Sequence, residues 1–168
     1  KNYYYSKIPK VVITNTAGIK KAEQALVFKH MTSYIKDVGG VNLSCVPSID
    51  SSREYFGVPN DAFVIMFGAV NINEERKGLH ILLQALRLVA KQINTRIIAL
   101  VPGNIFCDID NIDNVQFKLL GLLEFDDLCK AFAASNVYVS PSLADAGPMM
   151  VIYSIACGTP VVAFPIGN

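Results

Sequence analysis

The fold is decided by residues 141–164, which read PSLADAGPMMVIYSIACGTPVVAF. An apolar strand ends just before this stretch, at Ser140. A short helix is predicted to begin at Gly147-Pro148, because proline suits the first helical position, and to end at Gly158, a residue type that caps helix C-termini. A second apolar strand follows. In open α/β sheets, phosphorylated ligands bind where a helix N-terminus opens beside the carboxyl end of a strand. The stretch therefore predicts a phosphate-binding α/β domain.

The sequence that precedes this stretch alternates apolar strands with amphipathic helices. The unbroken apolar run of 62–70 is typical of a strand that is buried on both faces, near the centre of a parallel sheet. Regular alternation predicts an α/β fold, a three-layer, Rossmann-like, doubly wound parallel sheet with helices on both faces. The predicted strands are 62–70, 95–101, 115–119, 136–140 and 159–164, and the predicted longer helices are 78–93 and 124–134.

The first 60 residues are less regular. Apolar spacing predicts a short strand at 11–14, a helix over about 17–37 that Gly39-Gly40 ends, and a second strand at 41–46. The segment 47–60 is rich in turn-forming residues and is predicted to be a linker. At the other end, the sequence stops just after a strand, so we expect the domain to continue beyond Asn168 with a covering helix.

Composition limits the class of protein. The 168 residues are 52% hydrophobic and 17% charged, which indicates one folded, core-rich domain. A net charge of +1 argues against nucleic acid as a partner. No apolar run reaches the ~20 residues that a membrane span needs, and the N-terminus does not resemble a signal peptide. We expect a cytoplasmic protein.

The cysteines are interpreted as reduced core residues. There are four of them, Cys45, Cys107, Cys129 and Cys157, and no two have the spacing of a CxxC pair. Neither a disulfide framework nor a zinc site is predicted from such spacing. The two histidines, His30 and His80, fall inside helical patterns and are interpreted as surface or packing residues. We therefore expect no metal site and no catalytic histidine.

The first candidate for chemistry is the stretch 71–78 (NINEERKG), which lies between the central strand and the helix that follows it and ends in Arg76-Lys77-Gly78. Two adjacent cations there can neutralise a diphosphate, with arginine as a fork and lysine as a point charge. The alternative is a solvated helix start in which Glu74 and Glu75 pair with the cations.

The second candidate is Asp145 with Gly147-Pro148-Met149. Asp145 can accept hydrogen bonds from substrate hydroxyls, or it can simply form the turn before the helix. Tyr153, eight positions further on, lies in the middle of the short helix, where a partly buried packing role is the simpler alternative.

These residues together resemble a known family. The order Phe67-Gly68, Arg76-Lys77-Gly78, Pro141-Ser142-Leu143 and 156–163 (ACGTPVVA) is similar to the C-terminal half of retaining glycosyltransferases with the GT-B fold. The glycogen-synthase-like and the lipopolysaccharide or capsule glycosyltransferases are the most similar group. The resemblance covers roughly residues 41–168. It implies that residues 1–50 are the end of the acceptor-side half with its linker, and that 51–168 form an incomplete donor-binding domain.

The resemblance also implies roles for individual residues. Lys77 contacts the donor diphosphate, and Arg76 substitutes for a basic residue that members carry where this chain has Ala69. Members have two glutamates with seven residues between them, for the sugar and the ribose. Asp145 and Tyr153 stand at these positions, so the second charge is missing. The other residues implied to line the donor site are Gly68, Pro102, Gly103, Leu122, Leu123, Gly147, Pro148 and Met149.

The resulting prediction is the donor-binding half of a metal-independent glycosyltransferase that builds cell-surface polysaccharide. It needs no cofactor beyond the nucleotide sugar, and its acceptor is a glycan or a lipid-linked glycan. The full-length enzyme is expected in the cytoplasm, either free or at the inner face of the membrane. Two rivals stay open: a non-catalytic, degenerate transferase that acts as a binding or scaffolding module, and an enzyme of the same architecture with other chemistry, such as a nucleotide-sugar epimerase.

Overall fold

A computed structural model describes residues 11–13, 20, 23–25, 34–36, 46–145 and 147–166 of the chain. Contacts divide the chain into two compact units. One comprises Lys1–Gly40, Ala144–Pro148 and Pro165–Asn168, and the other comprises Val41–Leu143 and Met149–Phe164. Each is described by itself.

In the first unit, β1 (Val11–Ile13) pairs in parallel with β2 (Tyr34–Lys36). The strand predicted at 11–14 is confirmed. The helix predicted over 17–37 is wrong at its end, since Tyr34 and Ile35 belong to a strand. Aromatic and β-branched residues favour strands, and pairing with β1 outweighs their helical spacing. Apart from Val46, the strand predicted at 41–46 lies outside the described residues.

The second unit contains a five-stranded sheet in the order β5-β4-β3-β6-β7. All of its strands run parallel. The predicted central position of the strand within 62–70 is confirmed. The elements are α1 (Ile49–Tyr55), β3 (Phe63–Met66), a 3-10 turn (Glu75–Lys77), α2 (Leu79–Ala90), β4 (Ile97–Pro102), β5 (Val115–Gly121), α3 (Phe125–Ala134), β6 (Val137–Ser140), α4 (Met149–Ala156) and β7 (Val161–Ala163).

Helices cover both faces of this sheet. Successive residues of a strand point to opposite faces, and the buried residues of β3 and β4 accordingly fall into two clusters. Val64 and Met66 pack with Phe132 of α3, whereas Ile65 packs with Leu82 of α2. The three-layer, Rossmann-like architecture predicted from the sequence is confirmed.

The predicted linker at 47–60 is wrong in one respect, because it contains α1. The Ser48 side chain caps this helix by accepting a hydrogen bond of 3.2 Å from the Ser51 N–H. Arg53 is buried at 7% exposure and donates to the carbonyl oxygens of Asn60 and Ala134. It also donates to Asn136 Oδ1 at 3.0 Å. The segment is therefore anchored to the end of α3.

The cysteines divide into two kinds. Cys129 and Cys157 are buried and free, as predicted, whereas Cys107 is exposed, which corrects its assignment to the core. Cys45 lies outside the described residues. Burial raises the pKa of Cys129, and burial together with the neighbouring Cys129 raises the pKa of Cys157 to about 12. Both thiols are thus neutral at physiological pH.

We expect the free energy of unfolding to fall as pH rises from about 9 toward 12. An unfolded cysteine titrates near its ordinary pKa of 9.0, whereas Cys157 in the folded chain titrates near 12. The unfolded chain loses its proton first, so this contribution is complete below pH 9 and is lost through that window. Urea denaturation across the pH series measures it. In Cys157→Ala the alkaline fall should be shallower, and an unchanged slope would contradict the assignment.

Candidate functional site

The carboxyl ends of β3 and β6 mark the point where the strand order of the sheet reverses. β3 is bonded to β4 on one side and to β6 on the other. In open α/β sheets, the crevice beyond such a reversal is the usual ligand site. Three segments leave the sheet at this edge: 67–78 after β3, 103–106 after β4 and 141–143 after β6.

Two of the predicted residues, Gly68 and Gly103, let backbone segments come close together there. A Cβ on Gly68 would lie 2.7 Å from Pro102 Cγ and 2.8 Å from the Pro102 carbonyl oxygen. Gly103 has φ of 126°, and a Cβ there would overlap the carbonyl oxygen of Ala69. The Ala69 N–H in turn donates to the Pro102 carbonyl oxygen at 3.3 Å. Glycine is therefore required by the packing of the two strand ends.

A cavity of about 100 Å³ opens beside these glycines. It brings together four of the predicted residues, Pro102, Gly103, Leu122 and Leu123. Ala69, Val70, Leu128 and Met150 complete its lining, so no lining side chain is ionisable. Such a wall suits a flat, uncharged ring better than a phosphate group.

The two predicted cations lie in the 3-10 turn that ends the segment after β3. Arg76 Nη2 lies 2.5 Å from Glu74 Oε2, and the Arg76 side chain is 47% exposed. This is the ion pair that the sequence left open as an alternative. Lys77 is half-buried, and its N–H donates to the Glu74 carbonyl oxygen at 2.8 Å. An exposed ion pair is weak, so Glu74 does not prevent Arg76 from meeting an anion.

Gly78 joins this turn to α2 and fixes it against the end of β6. Its φ is 74°, in the left-handed region, and a Cβ would overlap the carbonyl oxygen of Pro141. The Leu143 N–H donates to the Arg76 carbonyl oxygen at 2.7 Å. The 3-10 turn is thus held beside the 141–143 segment. Gly78 itself precedes α2, so the helix predicted from Gly78 begins one residue later, at Leu79.

Asp145, Gly147 and Pro148 belong to the other compact unit, directly before α4 in the chain. The Gly147 N–H donates to Asp145 Oδ1 at 3.3 Å, so this carboxylate forms the turn that the sequence offered as an alternative. It is half-buried. The helix predicted from Gly147-Pro148 begins at Met149 instead. α4 stops at Ala156, two residues before the predicted end at Gly158. Gly158 has φ of 77°, in the left-handed region that favours glycine after a helix.

Tyr153 is half-buried in α4 and packs as an aromatic residue. Its ring centroid lies 5.3 Å from that of Phe125 at an interplanar angle of 73°, which is an edge-to-face contact. It also packs against the core cluster that contains Phe132. These contacts agree with the packing role that was the simpler alternative for Tyr153. A contact between Tyr153 and the ribose stays a prediction.

Three asparagines for which the sequence predicted no role organise the segment after β3. The Ile72 N–H donates to the Asn104 carbonyl oxygen at 3.0 Å, and the Asn104 N–H donates to the Val70 carbonyl oxygen at 3.1 Å. Asn73 Oδ1 accepts from the Phe106 N–H at 2.7 Å, and Asn71 Oδ1 accepts from the Asn73 N–H at 3.1 Å. Asparagine is a common turn former. The two asparagines on either side of the apolar Ile72 were therefore the sequence signal from which this turn could have been predicted.

Among the described residues, no three His, Cys, Asp or Glu side chains cluster so that they could hold a metal ion. His80 is exposed on α2, while His30 lies outside the described part. Within the same residues, every helix is too short or too polar to cross a bilayer.

The chain has recognisable relatives in sequence. A family model described as "Glycosyl transferases group 1" matches residues 62–168. An uncharacterized glycosyltransferase of Methanocaldococcus jannaschii is 26% identical over 136 residues, covering 76% of this chain and 33% of that protein. D-inositol 3-phosphate glycosyltransferase 1 of Catenulispora acidiphila is 27% identical over 135 residues, covering 71% of this chain and 32% of that protein. The chain thus spans about a third of the length of these relatives.

Solved structures share the fold. Sucrose-phosphate synthase of Thermosynechococcus elongatus superposes with a TM-score of 0.74 at 22% identity, over 99% of this chain and 43% of that one. HepE of Anabaena, solved with UDP and glucose, has a TM-score of 0.71 at 20% identity, over 95% of this chain and 45% of that one. At these identities the likeness concerns architecture alone. It matches the GT-B type expected from the sequence.

Proposed function

The chain belongs to the glycosyl transferases group 1 family, and from this membership we propose that it holds the nucleotide-sugar donor of a glycosyltransferase. One observation carries the proposal. An apolar cavity and a turn with two cations are joined by one short segment, 69–77, at the strand-order reversal of a parallel sheet. A nucleoside diphosphate is complementary to these two features, because its base is an uncharged ring that suits the cavity and its diphosphate is an anion that suits the cations.

In this proposal the base enters the cavity beside Pro102, Gly103, Leu122 and Leu123. The diphosphate extends toward the turn, where Lys77 and Arg76 meet it. Cations that face a departing diphosphate stabilise the charge that develops on it as its bond to the anomeric carbon of the sugar breaks and the acceptor oxygen takes its place. The solved structure of HepE with UDP-glucose offers a donor of this class as an analogy.

The finer features follow the family resemblance. Asp145 orients the hydroxyls of the donor sugar, and Gly147, Pro148 and Met149 approach its phosphates with their backbone. We propose a retaining transfer in which side-chain cations, without a metal ion, neutralise the leaving group. The acceptor is a glycan or lipid-linked glycan of a cell-surface polysaccharide, and the full-length enzyme works in the cytoplasm or at the inner face of the membrane.

Lys77→Ala should weaken the binding of UDP by about 10- to 100-fold, or roughly 1.5–3 kcal/mol, the scale of a hydrogen bond to a charged group. Arg76→Ala should cost less, because its guanidinium already pairs with Glu74. Isothermal titration calorimetry with UDP and GDP measures both variants. Lys91→Ala, an exposed lysine after the far end of α2, is the matched control and should bind as the wild type does. Unchanged affinity in Lys77→Ala would remove the diphosphate site.

A non-catalytic binding module is the second candidate. It is favoured by Tyr153, whose ring packs against Phe125 where the resembling family has an acidic donor contact. Donor hydrolysis and sugar transfer by the full-length protein separate the two candidates. An enzyme consumes UDP-sugar, whereas a module binds UDP without turnover.

A further inference from the structure

We propose that Asn73 is a positioning residue for the basic turn, defined as residues 74–78, and so acts on the diphosphate without touching it. The inference rests on the proposed function of that turn. It concerns a residue of the candidate stretch 71–78 to which neither the family resemblance nor the sequence analysis gives a role.

The basic turn is anchored on two sides by different means. On the side of β6, backbone holds it, since the Leu143 N–H donates to the Arg76 carbonyl oxygen at 2.7 Å and Gly78 lies against Pro141. On the side of β4, the nearest anchor is a side chain. Asn73 Oδ1 accepts from the Phe106 N–H at 2.7 Å, directly before the turn begins at Glu74.

The Asn73 side chain is itself set by its neighbours. Its own N–H donates to Asn71 Oδ1 at 3.1 Å, which closes a tight turn around Ile72. Ile72 is fully buried and fixes the depth of the segment. The carboxamide of Asn73 is therefore presented toward the segment after β4 by a folded turn, and it needs little further ordering to make its bond.

Losing this bond should affect the two ends of a nucleotide differently. The cavity walls Ala69 and Gly103 keep their backbone bonds, to Pro102 at 3.3 Å and to Gly121 at 2.6 Å. The turn that carries Lys77 loses its side-chain anchor toward β4. Because binding pays for ordering mobile groups, the cost should fall on the diphosphate and spare the nucleoside.

The test measures UDP and uridine on the same protein by calorimetry. Asn73→Ala should bind UDP about 3- to 10-fold more weakly, the scale of one net hydrogen bond, with uridine affinity unchanged. Gln116→Ala is the matched control. It removes an exposed acceptor near the amino end of β5, which accepts a hydrogen bond of the same length, 2.7 Å, from Arg96, and it should change neither affinity.

Hydrogen exchange at the Phe106 amide checks the bond itself. Protection should fall in Asn73→Ala and return in Asn73→Asp, which keeps an oxygen acceptor. If the wild type binds neither UDP nor uridine, the proposed function fails together with this inference. If the wild type binds UDP but Asn73→Ala binds it equally well, or loses UDP and uridine by the same factor, the positioning role alone is wrong.

Discussion

Gly78→Ala is expected to lower the free energy of unfolding by about 2–5 kcal/mol. A left-handed backbone costs a residue with a Cβ about 1–2 kcal/mol, and Gly78 has φ of 74°. The added Cβ would also overlap the Pro141 carbonyl oxygen, which is backbone and cannot rotate away. A forced shift of this kind adds about 1–3 kcal/mol. Urea denaturation followed by far-UV circular dichroism measures the loss.

Gly158 supplies the matched control for this substitution. Its φ of 77° is nearly the same, but a Cβ there would meet nothing within 4 Å. Gly158→Ala should therefore cost only the backbone term of about 1–2 kcal/mol. Equal losses in the two variants would mean that the contact between Gly78 and Pro141 does not constrain the basic turn.

Arg53→Met should destabilise the protein by about 3 kcal/mol. Methionine keeps much of the apolar stem, so the change isolates the guanidinium. Its Nε donates to the Ala134 carbonyl oxygen at 3.2 Å and its Nη1 to that of Asn60 at 2.8 Å. Removing the donors leaves the buried Ala134 carbonyl oxygen and the part-buried Asn60 carbonyl oxygen without their charged partner, at about 1–3 kcal/mol for a buried unsatisfied group. Thermal and urea unfolding both measure the effect.

Arg96→Met is the control for the loss of an arginine as such. Arg96 donates to Gln116 Oε1 at 2.7 Å, but both residues are exposed and water can replace the bond. Surface changes of this kind stay within about 0.5 kcal/mol. A loss in Arg53→Met no larger than that in Arg96→Met would show that α1 is held by other contacts.

The sheet of the second unit was predictable because its strands carry an unambiguous signal. Val64, Ile65 and Met66 are all buried, so β3 is covered on both of its faces. Strands that are buried on both faces are continuous apolar runs in the sequence. Where the signal depended on context, prediction failed. Tyr34 and Ile35 fit a helical spacing but pair with β1, a partner about twenty residues away in the chain that no local pattern reveals.

The helix α1 was missed because its anchor is a charged residue. The turn-forming residues of 47–60 predicted a linker, and arginine is rarely buried, so nothing marked Arg53 as an anchor. Ser48 followed by Asp50 is nevertheless a helix-start signal. The candidate site was likewise predictable in some of its residues and not in others. Gly68, Gly78 and Gly103 were named among the candidate residues, but the close backbone approach at each of them is a finding of the structure. The ion pair of Arg76 with Glu74 and the ring contact of Tyr153 depend on side-chain rotamers, which composition and spacing do not determine.

The uncharged lining of the cavity has a consequence for the conditions under which a donor is held. Apolar burial is insensitive to moderate ionic strength and has a negative heat-capacity change, whereas attraction to partly exposed cations is screened within about 10 Å at 0.1 M salt. In the proposed site, no ionisable side chain lines the cavity, and Arg76 is 47% exposed. Salt would therefore loosen the diphosphate end of a bound nucleotide while the base stays bound, so that the affinity for a nucleoside diphosphate would fall with ionic strength more than the affinity for a nucleoside.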